Sequence, residues 1–202
     1  MIRTLIKFGA IASVLATGTL TIPELYADDY VRGQVGGTHY SIPAVYRASV
    51  SDRSLFISAS LPQWGPLVRY KPGWNDHLQI LITATSEKNI AALWDRLYDG
   101  TPFVPGKPYT IVRKYRSEPN LAVQKMASEE DVFLPDQNAK TMPEGFMVCG
   151  RPSPPIFPYA SCSHYFVEDH QRWKITFGRQ FVGDFRSIRT RAKQFLDRFK
   201  ES

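Results

Sequence analysis

Hydrophobic and polar positions alternate along several short stretches of this chain. From His77 to Thr85 (HLQILITAT), Leu78, Ile80, Ile82 and Ala84 fall on every second position, the period of a strand with one buried face. Short strands are also predicted over Ser54–Ser60, Tyr109–Tyr115, Asn120–Met126, Gly145–Cys149, Tyr159–Val167 and Arg172–Phe177, with a further one over Asp131–Leu134. A turn containing Pro119 joins the second and third of these. Ile42-Pro43 begins extended chain, because the residue before a proline avoids the helical region. Residues 28–40, with Gly33, Gly36 and Gly37, read as a flexible lead-in, and 61–76 as a long connection rich in Pro, Gly and Trp.

Two stretches change period. Ile90, Leu93, Trp94 and Leu97 recur at helical spacing behind Ser86, a capping residue, and ahead of Gly100. Phe181, Phe185, Ile188, Ala192, Phe195 and Phe199 recur at alternating spacings of four and three. They predict one apolar stripe on a helix from about Asp184 to Lys200, capped by Asp184. The expected fold class is therefore α+β: antiparallel strands in one curved sheet or two related sheets, with two main helices, near 87–98 and 184–200, packed on them. His77–Gly100 and Arg172–Phe199 each run strand, turn, helix. Residues 28–202 thus read either as two pseudo-repeated halves or as one mixed α+β domain without symmetry.

The first 27 residues stand apart from this pattern. Arg3 and Lys7 precede an apolar stretch, Phe8–Leu20, and Leu25-Tyr26-Ala27 offers a cleavage point before Asp28-Asp29. The stretch is shorter than the roughly 20 apolar residues of a spanning helix and is diluted by Gly9, Ser13, Thr17, Gly18 and Thr19. A cleaved export signal over 1–27 is expected rather than a retained anchor, with the mature chain periplasmic or secreted. Membrane contact then falls to the signal alone, before cleavage.

Composition sharpens this. The chain has 202 residues, 43% hydrophobic and 13% aromatic, with a formal charge of +6. This is a folded globule of ordinary domain size. Mild basicity suits an acidic protein or an anionic surface, and nucleic acid is not the expected partner of an exported chain. The two cysteines, Cys149 and Cys162, flank a loop carrying Pro152, Pro154, Pro155 and Pro158. An even count in an exported protein predicts a disulfide. Loop entropy assigns a bridge of this span about 3 kcal/mol.

Catalytic chemistry finds little support. Ser163, His164, Glu168, Asp169 and His170 form the densest reactive cluster. On a strand, Ser163 and His164 point to opposite faces, and no Gly-x-Ser-x-Gly elbow occurs. Metal-ligand spacings are absent, and Gly33–Gly37 lacks the strand before it and the Lys-Ser or Lys-Thr after it that a phosphate loop needs. No cofactor, metal or catalytic residue is expected. Trp64, Arg69, Tyr70, Lys71 and Trp74 cluster in the long connection, and aromatics with arginine mark binding hot spots. Core plugs explain the tryptophans equally well.

Ile42-Pro43-x-x-Tyr46 and Cys162-x-His164-x-Phe166, followed by a strand and an amphipathic C-terminal helix, resemble uncharacterised exported proteins of Gram-negative bacteria. Some small periplasmic proteins of this kind look like immunity proteins for toxins delivered by type VI secretion. The resemblance covers mainly residues 38–60 and 145–200 and carries over no catalytic residue. Export, an aromatic-rich fold, the aromatic connection 61–76 and the lack of a catalytic set predict a periplasmic binding or inhibitory protein with a protein partner, and toxin neutralisation is the version that the resemblance implies. The alternative is an envelope-directed hydrolase using His164 or His170.

Overall fold

The structure of the protein, a computed structural model, describes residues 29–67, 76–97, 110–115, 129–135, 142–152 and 159–201. The expected signal 1–27, the strand Asn120–Met126, the Pro119 turn and Gly100 lie outside the described residues.

Residues 28–40 are not a flexible lead-in. β1 (Tyr30–Val35) and β2 (Thr38–Pro43) pair antiparallel. Val35 lies opposite Thr38, so Gly36 (φ 56°) and Gly37 (φ 85°) form the two-residue turn. Two positive φ angles in succession are what a tight hairpin of right-handed twist requires, and glycine meets them without a Cβ clash. Val35, Tyr40 and Ile42 point inward and are buried. Burial of these three side chains is the physical reason the segment is ordered.

The main sheet contains β3 (Ser49–Val50), β4 (Ser54–Ser60), β5 (His77–Ala84), β6 (Thr110–Tyr115), β7 (Glu129–Leu134), β8 (Phe146–Gly150), β9 (Ser161–Glu168) and β10 (Gln171–Gly178). Its spatial order is β3-β4-β5-β10-β9-β8-β7-β6, and every neighbouring pair is antiparallel. β5 and β10 meet at the centre, with Ile80 opposite Ile175 and Ile82 opposite Trp173. Alternation sends Leu55, Ile57, Leu78, Ile80, Ile175 and Phe177 to one face, all fully buried.

The main helix covers that face. A 3₁₀ turn, Arg179–Asp184, leads into the helix Phe185–Asp197. Phe185, Ile188, Ala192 and Phe195 are buried as the stripe requires, and Leu196 joins them. A side chain of this size contributes about 1.5–3 kcal/mol on full burial. Asp184 occupies the cap position but makes no side-chain cap bond. Its ψ of 9° continues the 3₁₀ turn, whereas a capping side chain needs an extended backbone. The helix stops at Asp197, short of the expected Lys200, because the chain turns to pair with β2. Ser41 N donates to Phe199 O at 2.8 Å and Glu201 N to His39 O at 3.1 Å.

The other helix, α1 (Ala91–Leu97), is short, seven residues long. The fold is thus α+β dominated by antiparallel sheet, with one main helix, called α2 from here on (Phe185–Asp197), rather than two. The side-chain cap of α1 comes from Asn89, not Ser86: Asn89 Oδ1 accepts from Ala91 N at 2.9 Å. Ile90 and Trp94 pack with Val132, Leu134 and Phe146. By strand alternation these lie on the face opposite α2, so the two helices cover opposite sides of the sheet. Among the described residues, no helix is long and apolar enough to cross a membrane.

Candidate functional site

The loop after β4 brings Trp64 against α2. Trp64 N donates to Ser60 O and Ser60 N to Gly65 O, each at 2.8 Å, and Leu61 N to Asp76 O at 2.7 Å. These bonds close the loop into a fixed turn, in which Trp64 holds the left-handed conformation, φ 60°. Its ring packs on Phe195 with centroids 5.7 Å apart. It is 8% exposed, and its indole N–H is buried without a hydrogen-bond partner. An unmet buried donor costs about 1–3 kcal/mol, so the packing of the ring must outweigh that. The other four residues singled out in this connection, Arg69, Tyr70, Lys71 and Trp74, lie outside the described residues.

Two adjoining cavities open beside Trp64. One, of about 410 Å³, has apolar walls from Leu61, Phe181 and Ile188, with Asp184 and Ser187 at its rim. The second, of about 310 Å³, is lined by Gln63, Gln194, Phe195 and Arg198. Pro62, Trp64 and Arg191 border both. Among the described residues the Arg191 side chain has no hydrogen bond or ion pair, and Arg198, which lies over the rings of Phe195 (4.8 Å) and Phe199 (5.7 Å) and donates from Nε to Phe195 O at 3.4 Å, has no carboxylate partner. The result is a groove with an apolar end and a cationic end.

The reactive cluster of β9 does not assemble. His164 is fully buried beneath α2, between the rings of Phe166 (5.0 Å) and Phe185 (5.2 Å). Its Nε2 donates to Glu144 O at 2.7 Å, while Nδ1 has no partner. Burial pushes its pKa down to about 4, helped by Arg189 and Arg186 and opposed by the Glu144 carbonyl, so the ring is neutral. Gly145 permits this contact. Its φ is +74°, and a Cβ there would stand 1.8 Å from Tyr165 O. Ser163 projects to the opposite face, where its hydroxyl is 3.1 Å from Thr176 Oγ1. Asp169 and His170 form the exposed two-residue turn between β9 and β10. Glu168 is engaged by Arg189 at 3.1 Å and by Lys193. Among the described residues no nucleophile stands at either nitrogen of His164. Among the described residues no three His, Cys, Asp or Glu side chains group as metal ligands.

Cys149 and Cys162 face each other across β8 and β9 and are joined, with sulfurs 1.95 Å apart. Beside them is a constellation that sequence reasoning missed. Asp131 on β7 accepts two bonds from Arg151, at 2.9 and 2.8 Å, and one from Arg179. Arg179 also donates to Gly150 O at 2.8 Å. Burial acts to raise the Asp131 carboxyl, but its two arginines outweigh it and hold the group below the usual range. This fork ties the start of the proline-rich loop to the sheet, and Arg179 N, donating to Ala160 O at 2.9 Å, holds its far end. Nothing in the local sequence pairs Asp131 with arginines 20 and 48 positions away.

No family model matches the sequence, and no curated protein matches it. Among solved structures the chain is similar to Smlt3025, an immunity protein of the Stenotrophomonas maltophilia type IV secretion system. The TM-score is 0.56 at 16% identity, over 88% of this chain and 95% of that one. A second similar structure is the Neisseria meningitidis iron-regulated outer membrane lipoprotein FrpD, with a TM-score of 0.43 and 13% identity over 85% of this chain and 92% of that one. The first likeness shows a shared fold. The secretion system in that neighbour's name is type IV, whereas the sequence resemblance points to type VI.

Proposed function

We propose that this chain is an exported protein of the cell envelope that neutralises a protein toxin by binding it. The observation that carries the reading is the shared fold with an immunity protein along nearly the whole of both chains. Three features support it. The Cys149–Cys162 bridge suits an oxidising compartment, as the export segment 1–27 requires. The groove beside Trp64 presents apolar and cationic surface on a rigid loop and helix, the mixture that protein partners engage. The separation of Ser163, His164 and His170 leaves the hydrolase alternative without an assembled nucleophile and base among the described residues.

The test is a competition between the source strain and its own deletion mutant lacking this gene. The deletion mutant is expected to be killed by its parent and rescued by the full chain, while a version without residues 1–27 fails to rescue. Equal survival of mutant and parent would overturn the reading. N-terminal sequencing of the periplasmic protein is expected to begin near Asp28.

A further inference from the structure

Helix α2 carries a row of exposed positions, Asp184, Ser187, Arg191, Gln194 and Arg198, spaced by three and four residues and therefore stacked on one flank. The row runs along the groove beside Trp64. Its acidic end borders the apolar cavity and its basic end the polar one. Arg191 and Arg198 are seven residues apart, about 10 Å along a helix rising 1.5 Å per residue. Neither meets a carboxylate among the described residues. On the opposite flank of the same helix every cation does.

We propose that this groove is the docking surface for the partner, and that its occupant is an acidic surface segment of a protein. One large apolar side chain of that segment enters the cavity between Leu61, Phe181 and Ile188. Two carboxylates about 10 Å apart lie on Arg191 and Arg198. Charge complementarity selects this occupant. The cationic cavity contains no acidic lining residue. Arg198 is held over the Phe195 ring with its Nε donating to Phe195 O at 3.4 Å, which leaves its two terminal nitrogens for a carboxylate. Asp184 at the apolar end sets direction, because it repels a carboxylate there and leaves that end to the apolar anchor. The loop bonds of Ser60, Trp64 and Gly65 hold the wall in place before binding, which lowers the ordering cost.

The inference rests on the binding role proposed above, and its test separates the two. The probe is a fluorescein-labelled peptide with one Phe followed by two Asp placed three residues apart, titrated against the mature chain by fluorescence anisotropy. Its counterpart has Asn for both Asp. The Asp peptide is expected to bind at least tenfold more tightly at low salt and to lose that advantage in 0.5 M NaCl. An Arg191→Glu, Arg198→Glu variant with an unchanged thermal midpoint is expected to abolish the difference. Ser187→Trp, which fills the apolar cavity and keeps both arginines, is expected to weaken both peptides equally. Equal binding of the two peptides to the wild-type chain overturns the surface assignment, whatever the killing assay returns. So does binding to phosphatidylglycerol vesicles that outcompetes the Asp peptide. Full rescue of the deletion mutant by the charge-reversed variant removes this surface while leaving the neutralising role standing.

Discussion

On one flank of α2, Arg186, Arg189 and Lys193 each reach a carboxylate of the sheet side, Glu144 or Glu168; on the other, Arg191 and Arg198 reach none among the described residues. Both flanks belong to a helix with a single buried stripe, and both are basic. The difference is what the sheet offers opposite them. The paired flank faces the end of β9 and the Glu144-Gly145 turn, and Arg189 also lies over the Phe166 ring at 4.2 Å. Its charges are part of the fold. Arg186 holds the Glu144 carboxyl below its usual range. At Glu168 burial acts upward, and Lys193 and Arg189 outweigh it. The flank beside Trp64 faces Leu61, Pro62, Gln63 and Trp64, none of which carries a charge. Basic residues on a helix are thus not one class: charges that meet carboxylates hold the helix down, and those that meet none contribute nothing of that kind to the fold.

The largest effect that tests this contrast comes from His164, beneath the paired flank. Its folded pKa of about 4 lies below the ordinary 6.5. The unfolded chain therefore takes up the proton first as pH falls. The stability contributed by the neutral ring is complete above pH 6.5 and is lost as pH falls toward 4, about 3 kcal/mol in all. Asp131, Glu144 and Glu168, with depressed carboxyls, act in the same direction but only from about pH 5 downward. Urea unfolding between pH 6.5 and about pH 5 isolates the histidine, with an expected loss of about 2 kcal/mol. His164→Gln keeps a donor for the Glu144 carbonyl and should flatten that slope. A wild-type midpoint that does not move across the window would contradict the buried neutral ring.

Asp131→Asn comes next. It leaves Arg151 and Arg179 facing a neutral amide. Breaking a buried pair costs about 3–5 kcal/mol, and the partial exposure of both arginines, about a quarter each, reduces the expected loss to about 2 kcal/mol. Limited proteolysis should then cut the proline-rich loop between the cysteines faster than in the parent. An uncut loop at unchanged stability would mean that the disulfide alone secures it.

Glu168→Gln removes the shared partner of Arg189 and Lys193. The site is only partly buried, so about 1 kcal/mol of stability should go, read from the thermal midpoint. The smallest effect belongs to the other flank. Arg191→Ala should leave stability within about 0.5 kcal/mol of the parent. If Arg191→Ala proves as damaging as Glu168→Gln, the two flanks are alike and the contrast fails.

Part of the site was legible and part was missed for identifiable reasons. Trp64 stood out as a large aromatic in a turn-rich connection, yet its side of the loop depends on contact with Phe195, far along the chain. The hairpin β1–β2 was within reach. Gly36-Gly37 separates two stretches by the two residues that a tight turn demands, but glycines at three nearby positions also look like slack. Asn89 displaced Ser86 as the cap of α1, because either short polar residue satisfies a helix start by pattern alone.

The amino-acid sequence by itself determined the local periods: alternation in β4, β5, β9 and β10, the apolar stripe of α2 and the cysteines across the proline-rich loop. Side-chain direction repeats every two residues in a strand and every 3.6 in a helix, so burial writes those periods into any local stretch. Only the tertiary structure decided that β5 lies beside β10, that α1 and α2 cover opposite faces, that Asp131 collects Arg151 and Arg179, and that Arg191 and Arg198 meet no carboxylate among the described residues. Each of these depends on which distant segments meet. That is settled by packing and charge summed over the whole chain, and no local pattern encodes it.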